Sequence, residues 1–295
     1  MLISQELLSK IKKIQIKTDR MASEILSGEY KSAFKGKGLN FDAIREYQFG
    51  DDIRSIDWKV TARMQNAYVR KYKEERQLSI VIIVDLSASS DFGTQALSKK
   101  EMSVELASVL ASLAIKNNDK VGMMLVTDEV ESYIPPKQGR AHIFKLIKDL
   151  LTYKPKSKRT DLQHVLKEAI KVIPRHSVVF LISDFLEDKG FDYERELKIL
   201  AKTQDLIAVS IRDPREFSLP NIGYIEISDP ETGKKQLVNL NRKDIREKFK
   251  DSQVGHREAL KDRFKKLGVD FLDLLTSRPY VNTLLGLFIS RERRN

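Results

Sequence analysis

Two runs in this chain leave little choice of fold: LSIVIIVD at residues 78–85 and SVVFLISD at 177–184. Each is a continuous apolar stretch of strand length, rich in β-branched residues, and each ends in an aspartate. A strand without polar alternation must be covered on both faces, the condition met by parallel sheets with helices on either side. Asp85 and Asp184 then fall at the same, carboxyl edge. Open α/β sheets bind their ligands at that edge, where the strand order reverses.

The pattern between and after these runs repeats the alternation. Helices are predicted at 99–116, 141–151, 161–173 and 193–202, and further strands at 120–126 and 205–211. Asp213-Pro214 and Leu219-Pro220 then interrupt the rhythm, and the stretches 222–227 and 235–240 flank a turn at 229–233. They predict a small β-hairpin inserted over about residues 214–241. A long charged helix at 242–267 is ended by Gly268, and a last buried strand (269–275) and a closing helix (279–290) follow. The expectation is an α/β domain over 78–290 with a doubly wound, mostly parallel sheet of Rossmann type.

Residues 1–77 read as an extension of different character. Leu7, Ile11, Ile14, Thr18, Met21 and Ile25 line one face of a helix over 5–27, a stripe suited to docking on the body of the protein. From Gly28 to Gln77 the pattern becomes irregular, with extended pieces at 43–47 and 68–72.

Net charge is +11, and its distribution decides how to read it. Residues 1–76 hold 16 Lys and Arg against 11 Asp and Glu, and residues 241–295 hold 14 against 8, while the middle is balanced at 23 each. All of the excess lies in the flanks. Basic flanks suit an acidic partner, phosphate or a membrane surface, or serve only as solvated faces. There is no cysteine, so disulfides and thiolate metal sites are excluded. The amino terminus is broken by lysines and the longest apolar run near the other end, 281–289, is far short of the ~20 residues of a membrane helix. A cytoplasmic protein without a membrane span is expected.

The first aspartate opens the loop Asp85-Leu86-Ser87-Ala88-Ser89, which can aim one carboxylate and two hydroxyls at a point. Such hard oxygen ligands suit Mg²⁺, which keeps several waters, and the lack of a His or Cys cluster argues against zinc. Taken alone, the loop reads first as a structural strand end followed by a capping serine. However, Arg159-Thr160-Asp161 opens a later helix and Ile182-Ser183-Asp184 ends a later strand, and the three pieces in this order resemble the von Willebrand factor A-type family with its metal-ion-dependent adhesion site. The resemblance implies that Ser87 and Ser89 bind Mg²⁺ or another hard divalent cation directly, Thr160 directly or through water, and Asp85 and Asp184 through water. One coordination position would stay open for an Asp or Glu of a protein partner.

A second stretch, Arg45-Glu46-Tyr47-Gln48-Phe49-Gly50-Asp51-Asp52-Ile53-Arg54-Ser55-Ile56-Asp57-Trp58, continuing to Arg63, resembles the signature of a bacterial family known as domain of unknown function 58. That family joins such a signature to an A-type domain, and its genes typically neighbour those of MoxR-type AAA+ ATPases. Many of its members carry membrane helices, from which this chain departs. Physically, Arg45, Arg54 and Arg63 interleaved with Glu46, Asp51, Asp52 and Asp57 read as a charge network fixing the segment to the sheet, with Trp58 as its apolar anchor. The other reading is a docking surface.

No phosphate-binding loop, G-x-S-x-G elbow or H-E-x-x-H pair is present, and His142, His164, His176 and His256 are scattered. The chain is therefore expected not to be an enzyme but a metal-dependent protein-binding module, an adaptor for a MoxR-type ATPase in assembling or maturing protein complexes. The alternatives are nucleic-acid binding through the basic flanks, against which the neutral middle weighs, and a Mg²⁺-dependent hydrolase, for which no base is evident.

Overall fold

A computed structural model describes residues 14, 17–22, 30, 33–34, 39–64, 66–74, 77–186, 192–228 and 235–294 of the protein. In chain order the strands are β1 (Leu39–Glu46), β2 (Tyr68–Glu74), β3 (Ser79–Asp85), β4 (Lys120–Val126), β5 (Val130–Lys137), β6 (Val178–Ser183), β7 (Asp205–Arg212), β8 (Tyr224–Ser228), β9 (Lys235–Asn239) and β10 (Asp270–Leu275). The α-helices are α1 (Trp58–Met64), α2 (Lys99–Lys116), α3 (Arg140–Thr152), α4 (Leu162–Val172), α5 (Glu194–Thr203), α6 (Lys243–Lys266) and α7 (Val281–Glu292).

Six strands form the central sheet in the order β10-β7-β6-β3-β4-β5. All neighbours are parallel except β4 and β5. The chain starts in the middle at β3, steps outward through β4 to β5, then crosses back to β6 on the other side of β3. The order therefore reverses between β3 and β6. The fold is mixed α/β with a mostly parallel sheet.

Alternate residues of the strands feed two separate cores. Ile80, Ile82, Val84, Phe180 and Ile182 face one layer with residues of α2, α3 and α7, while Val81, Ile83, Val179 and Leu181 face the other with residues of α4, α5 and α6. This double burial is why Ile80–Val84 of β3 and Val178–Ile182 of β6 contain no polar residue. Helix α2 is apolar nearly all round because it is covered on most sides, from Met102 to Ala114, and its start is fixed by a capping box between Ser98 and Glu101.

Helix α6 stops where Gly268, at φ +70°, takes the left-handed conformation, and the amide of Val269 donates back to the Phe264 carbonyl. Near the amino terminus, Ile14 and Met21 pack on the first core and Thr18 and Ala22 are buried, as a docked stripe requires. Leu7, Ile11 and Ile25 of that stripe lie outside the described residues.

Two elements depart from the sequence reading. Val130–Lys137 was not expected as a strand, since it contains Pro135 and Pro136; it is the edge strand of the sheet, where a missing amide is tolerated. Trp58–Met64, expected as irregular, is a short helix opened by Asp57, whose Oδ1 accepts from the amides of Lys59 and Val60. The expected hairpin forms from β8 and β9. No helix among the described residues is long and apolar enough to cross a membrane.

Candidate functional site

Asp85 ends β3 and Asp184 directly follows β6, so both carboxylates sit at the carboxyl ends of adjacent parallel strands, at the point where the order reverses. The turn after Asp85 is held by its own side chain: Oδ1 accepts from the Ser87 amide at 2.9 Å and Oδ2 from the Ser183 hydroxyl at 2.7 Å. Ser87 and Ser89 share a hydrogen bond between their hydroxyls at 3.0 Å, so both point the same way. Asp85, Ser89, Ser90, Lys99, Ser103, Ser183 and Asp184 line one small cleft, with Ile182 and Ile211 as its apolar wall.

Thr160 is carried by a different loop, just ahead of α4. That loop is tied to the serine turn by the Ala88 amide, which donates to the Lys158 carbonyl at 3.0 Å. Thr160 is not part of the cleft lining, and its buried hydroxyl has no hydrogen-bond partner. An unpaired buried hydroxyl costs about 1–3 kcal/mol, a cost that Ser210 Oγ also bears among the described residues. The structure thus puts Asp85, Ser89 and Asp184 on one cleft, ties Ser87 to them through its bonds to Asp85 and Ser89 although it does not line the cleft, and leaves Thr160 off the cleft on a loop bonded to the same turn.

The electrostatics are strained. Burial, and then the adjacent Asp184 charge, push the Asp85 carboxyl up to about 6, against the opposing hydrogen bonds from Ser87 and Ser183. After Asp184 the backbone of Phe185 is forced to φ +56°, an uncommon conformation for a bulky residue, while its ring is locked 5.2 Å from that of Phe264. The kink lets the Leu186 amide donate to Asp184 Oδ1 at 3.2 Å. Such strain is not legible in the sequence.

Sequence reasoning also missed Lys99. Its ammonium, on the first turn of α2, donates to Asp184 Oδ2 at 2.7 Å and to Glu216, on the loop after β7. Burial alone would lower its pKa; the two carboxylates outweigh that and raise it, so the lysine stays charged. Glu216 in turn accepts from the Asp213 amide at 3.0 Å, and the Asp213 carboxylate accepts from the Thr94 amide and hydroxyl and from Thr276.

The donor set fits a hydrated hard cation: two carboxylates, two paired serine hydroxyls and one orphaned threonine hydroxyl. Among the described residues no three His, Cys, Asp or Glu side chains are placed to hold one metal ion between them, so an all-carboxylate or zinc-type cage is not what these residues offer.

The signature segment is built otherwise than its charges predicted. Arg45 grips Asp51 with two hydrogen bonds of 2.8 and 2.7 Å, inside the segment itself, and Asp52 and Asp57 cap the short helical turns that follow them. Trp58, expected as a buried anchor, is 66% exposed; Phe49 is fully exposed, and Ile53 and Met64 are exposed as well. The segment leaves these apolar side chains in solvent instead of burying them.

Comparison with known proteins agrees with that signature. The family described as "Protein of unknown function DUF58" matches residues 43–259. Uncharacterized proteins of Mycobacterium tuberculosis (strain H37Rv) and Mycobacterium bovis are each 26% identical over 290 residues, covering 98% of this chain and 90% of the relative. Among solved structures, an aerotolerance-related membrane protein from Bacteroides fragilis aligns with a TM-score of 0.49 at 15% identity, over 74% of this chain and 100% of that one. The family match runs from just before the signature segment through five of the six strands of the central sheet, β3 to β7, and into α6, well over half of the sequence, and the chain belongs to the DUF58 family.

Proposed function

We propose that the protein is a von Willebrand factor A-like binding module that holds Mg²⁺, or another hard divalent cation, between Ser87, Ser89, Thr160, Asp85 and Asp184 and uses it to grip an acidic side chain of a protein partner. The observation that carries this reading is the Thr160 hydroxyl: buried, without a hydrogen-bond partner, on a loop bonded to the Asp85–Ser89 turn. Two neighbouring buried carboxylates add to it: above about pH 6 Asp85 is ionised beside Asp184, and one Lys99 ammonium does not offset both charges. The ion would supply a Lewis-acidic position for a carboxylate, while Ser87 and Ser89 hold it and the two aspartates orient its waters.

The partner class we propose is a MoxR-type AAA+ ATPase or its client, with the module as adaptor and no catalytic step of its own. Calorimetric titration with Mg²⁺ and Mn²⁺ tests the first half: one bound ion is expected for the wild type and none for the Ser87→Ala, Ser89→Ala double variant. Co-elution with the purified ATPase, in Mg²⁺ and in EDTA, tests the second. Absence of divalent binding in the wild type would sink the metal bridge, and co-elution indifferent to EDTA would separate the partner from the metal.

A further inference from the structure

A lysine in the first turn of a helix works against the helix dipole, and one that is only 2% exposed is rare unless paired. Lys99 is both, and it lines the same cleft as Asp85, Ser89 and Asp184. We propose that Lys99 is a built-in counter-cation of this site: its ammonium, held between Asp184 and Glu216, supplies part of the charge a divalent ion would supply and so weakens the site's grip on that ion. The inference rests on the metal reading of the site.

Three observations support it. Lys99 bonds the oxygen Asp184 Oδ2 at 2.7 Å, while Asp184 Oδ1 is engaged by the Leu186 amide, so both oxygens of this carboxylate already have a donor. Any ion drawing on Asp184 competes with the ammonium. Glu216 anchors the lysine from the other side and is itself fixed by the Asp213 amide, so the ammonium is held in place at both contacts. Finally, the three carboxylates of Asp85, Asp184 and Glu216 stand against one ammonium, which leaves an excess of two negative charges. A divalent ion matches that excess; without Lys99 the excess would be three.

The test is a pair of variants with opposite expected signs. Lys99→Met removes the charge but keeps the length and the apolar stem. It should melt at lower temperature than the wild type in EDTA, recover with Mg²⁺, and bind Mg²⁺ tighter by about tenfold or more, since a unit charge a few ångströms away is worth at least that near a protein surface. Glu216→Gln should bind Mg²⁺ more weakly than the wild type, because Lys99 is left to Asp184 alone. Lys99→Arg should restore wild-type melting in EDTA.

A merely structural ion pair predicts the same loss of binding in both variants, and that result overturns the inference. So does unchanged affinity in Lys99→Met, or, if that variant does not fold, unchanged affinity in Glu216→Gln. If the wild type binds no divalent ion but Lys99→Met does, the lysine is the resident cation: the inference stands and the metal bridge falls. If neither binds, both fall.

Discussion

Thr160→Val separates stability from ligand binding at a single atom. Valine keeps the shape of threonine and removes the one hydroxyl in question, which is buried without a hydrogen-bond partner. A buried polar group left unpaired costs about 1–3 kcal/mol, so its removal in EDTA should stabilise the protein by about 1 kcal/mol. For a chain of this size that is a rise of roughly 2 °C in Tm. Trp58, the single tryptophan, is exposed and a poor reporter of the core, so far-UV circular dichroism is the better signal. Saturating Mg²⁺ then supplies the second measurement. The wild type should gain about 2.7 kcal/mol at a hundredfold excess over Kd, and the variant should gain much less. Two results refute the reasoning: a variant less stable than the wild type in EDTA, which means the hydroxyl has a structural bond, or an undiminished response to Mg²⁺, which means it is no ligand.

Other sites give independent checks. Gly122 in β4 lies so close to β5 that an added Cβ would stand 2.7 Å from the Ile134 carbonyl oxygen and 2.8 Å from the Pro136 nitrogen; Gly122→Ala should lower stability to urea by about 2 kcal/mol, and a neutral result would mean that the edge strand moves freely. Arg291 joins Asp205 at 2.7 Å and Asp270 at 2.6 Å and lies over the Phe34 ring, so Arg291→Met should destabilise by about 2 kcal/mol, less than a fully buried pair because the Asp205 side chain is 46% exposed. In EDTA, Asp85 takes up its proton near pH 6 when folded and near ~3.9 when unfolded, so the folded state holds the extra proton and Tm should rise as pH falls from 7 toward 5. Asp85→Asn should flatten that slope; a slope unchanged in the variant assigns it to other groups.

The sheet was legible because β3 and β6 are buried on both faces, and a doubly buried strand has no room for a polar residue. Helix α2 was likewise bounded by the sequence at Lys99 and Lys116, where the apolar run meets charge, and the structure agrees. Strand β5 was not legible: a partly exposed edge strand needs neither continuous burial nor every amide, so Pro135 and Pro136 fit it while disguising it. Trp58 misled for the opposite reason, since a large aromatic is usually buried and this one is not. The positions of Asp85 and Asp184 could be derived from strand ends and parallel order alone. The pairing of Lys99 with Glu216 could not, because 117 residues separate them and neither sits in a pattern that marks a site.

That unreadable pair bears directly on what the site can bind. Asp85, Asp184 and Glu216 with a divalent ion would carry a net charge of minus one, and an incoming carboxylate would meet repulsion in a partly desolvated cleft. With Lys99 in place the same set is neutral, so the ion's Lewis acidity can act on an acidic side chain without an opposing field. The lysine that weakens the ion therefore also makes the loaded site tolerant of an acid. Lys99→Met should consequently split two quantities that a purely structural lysine would move together: tighter binding of Mg²⁺, and weaker binding of acetate or an Asp-bearing peptide to the Mg²⁺-loaded protein. Titration of the peptide into both loaded proteins decides it, and a variant that binds ion and carboxylate equally well would show that the charge of Lys99 does not reach the open position.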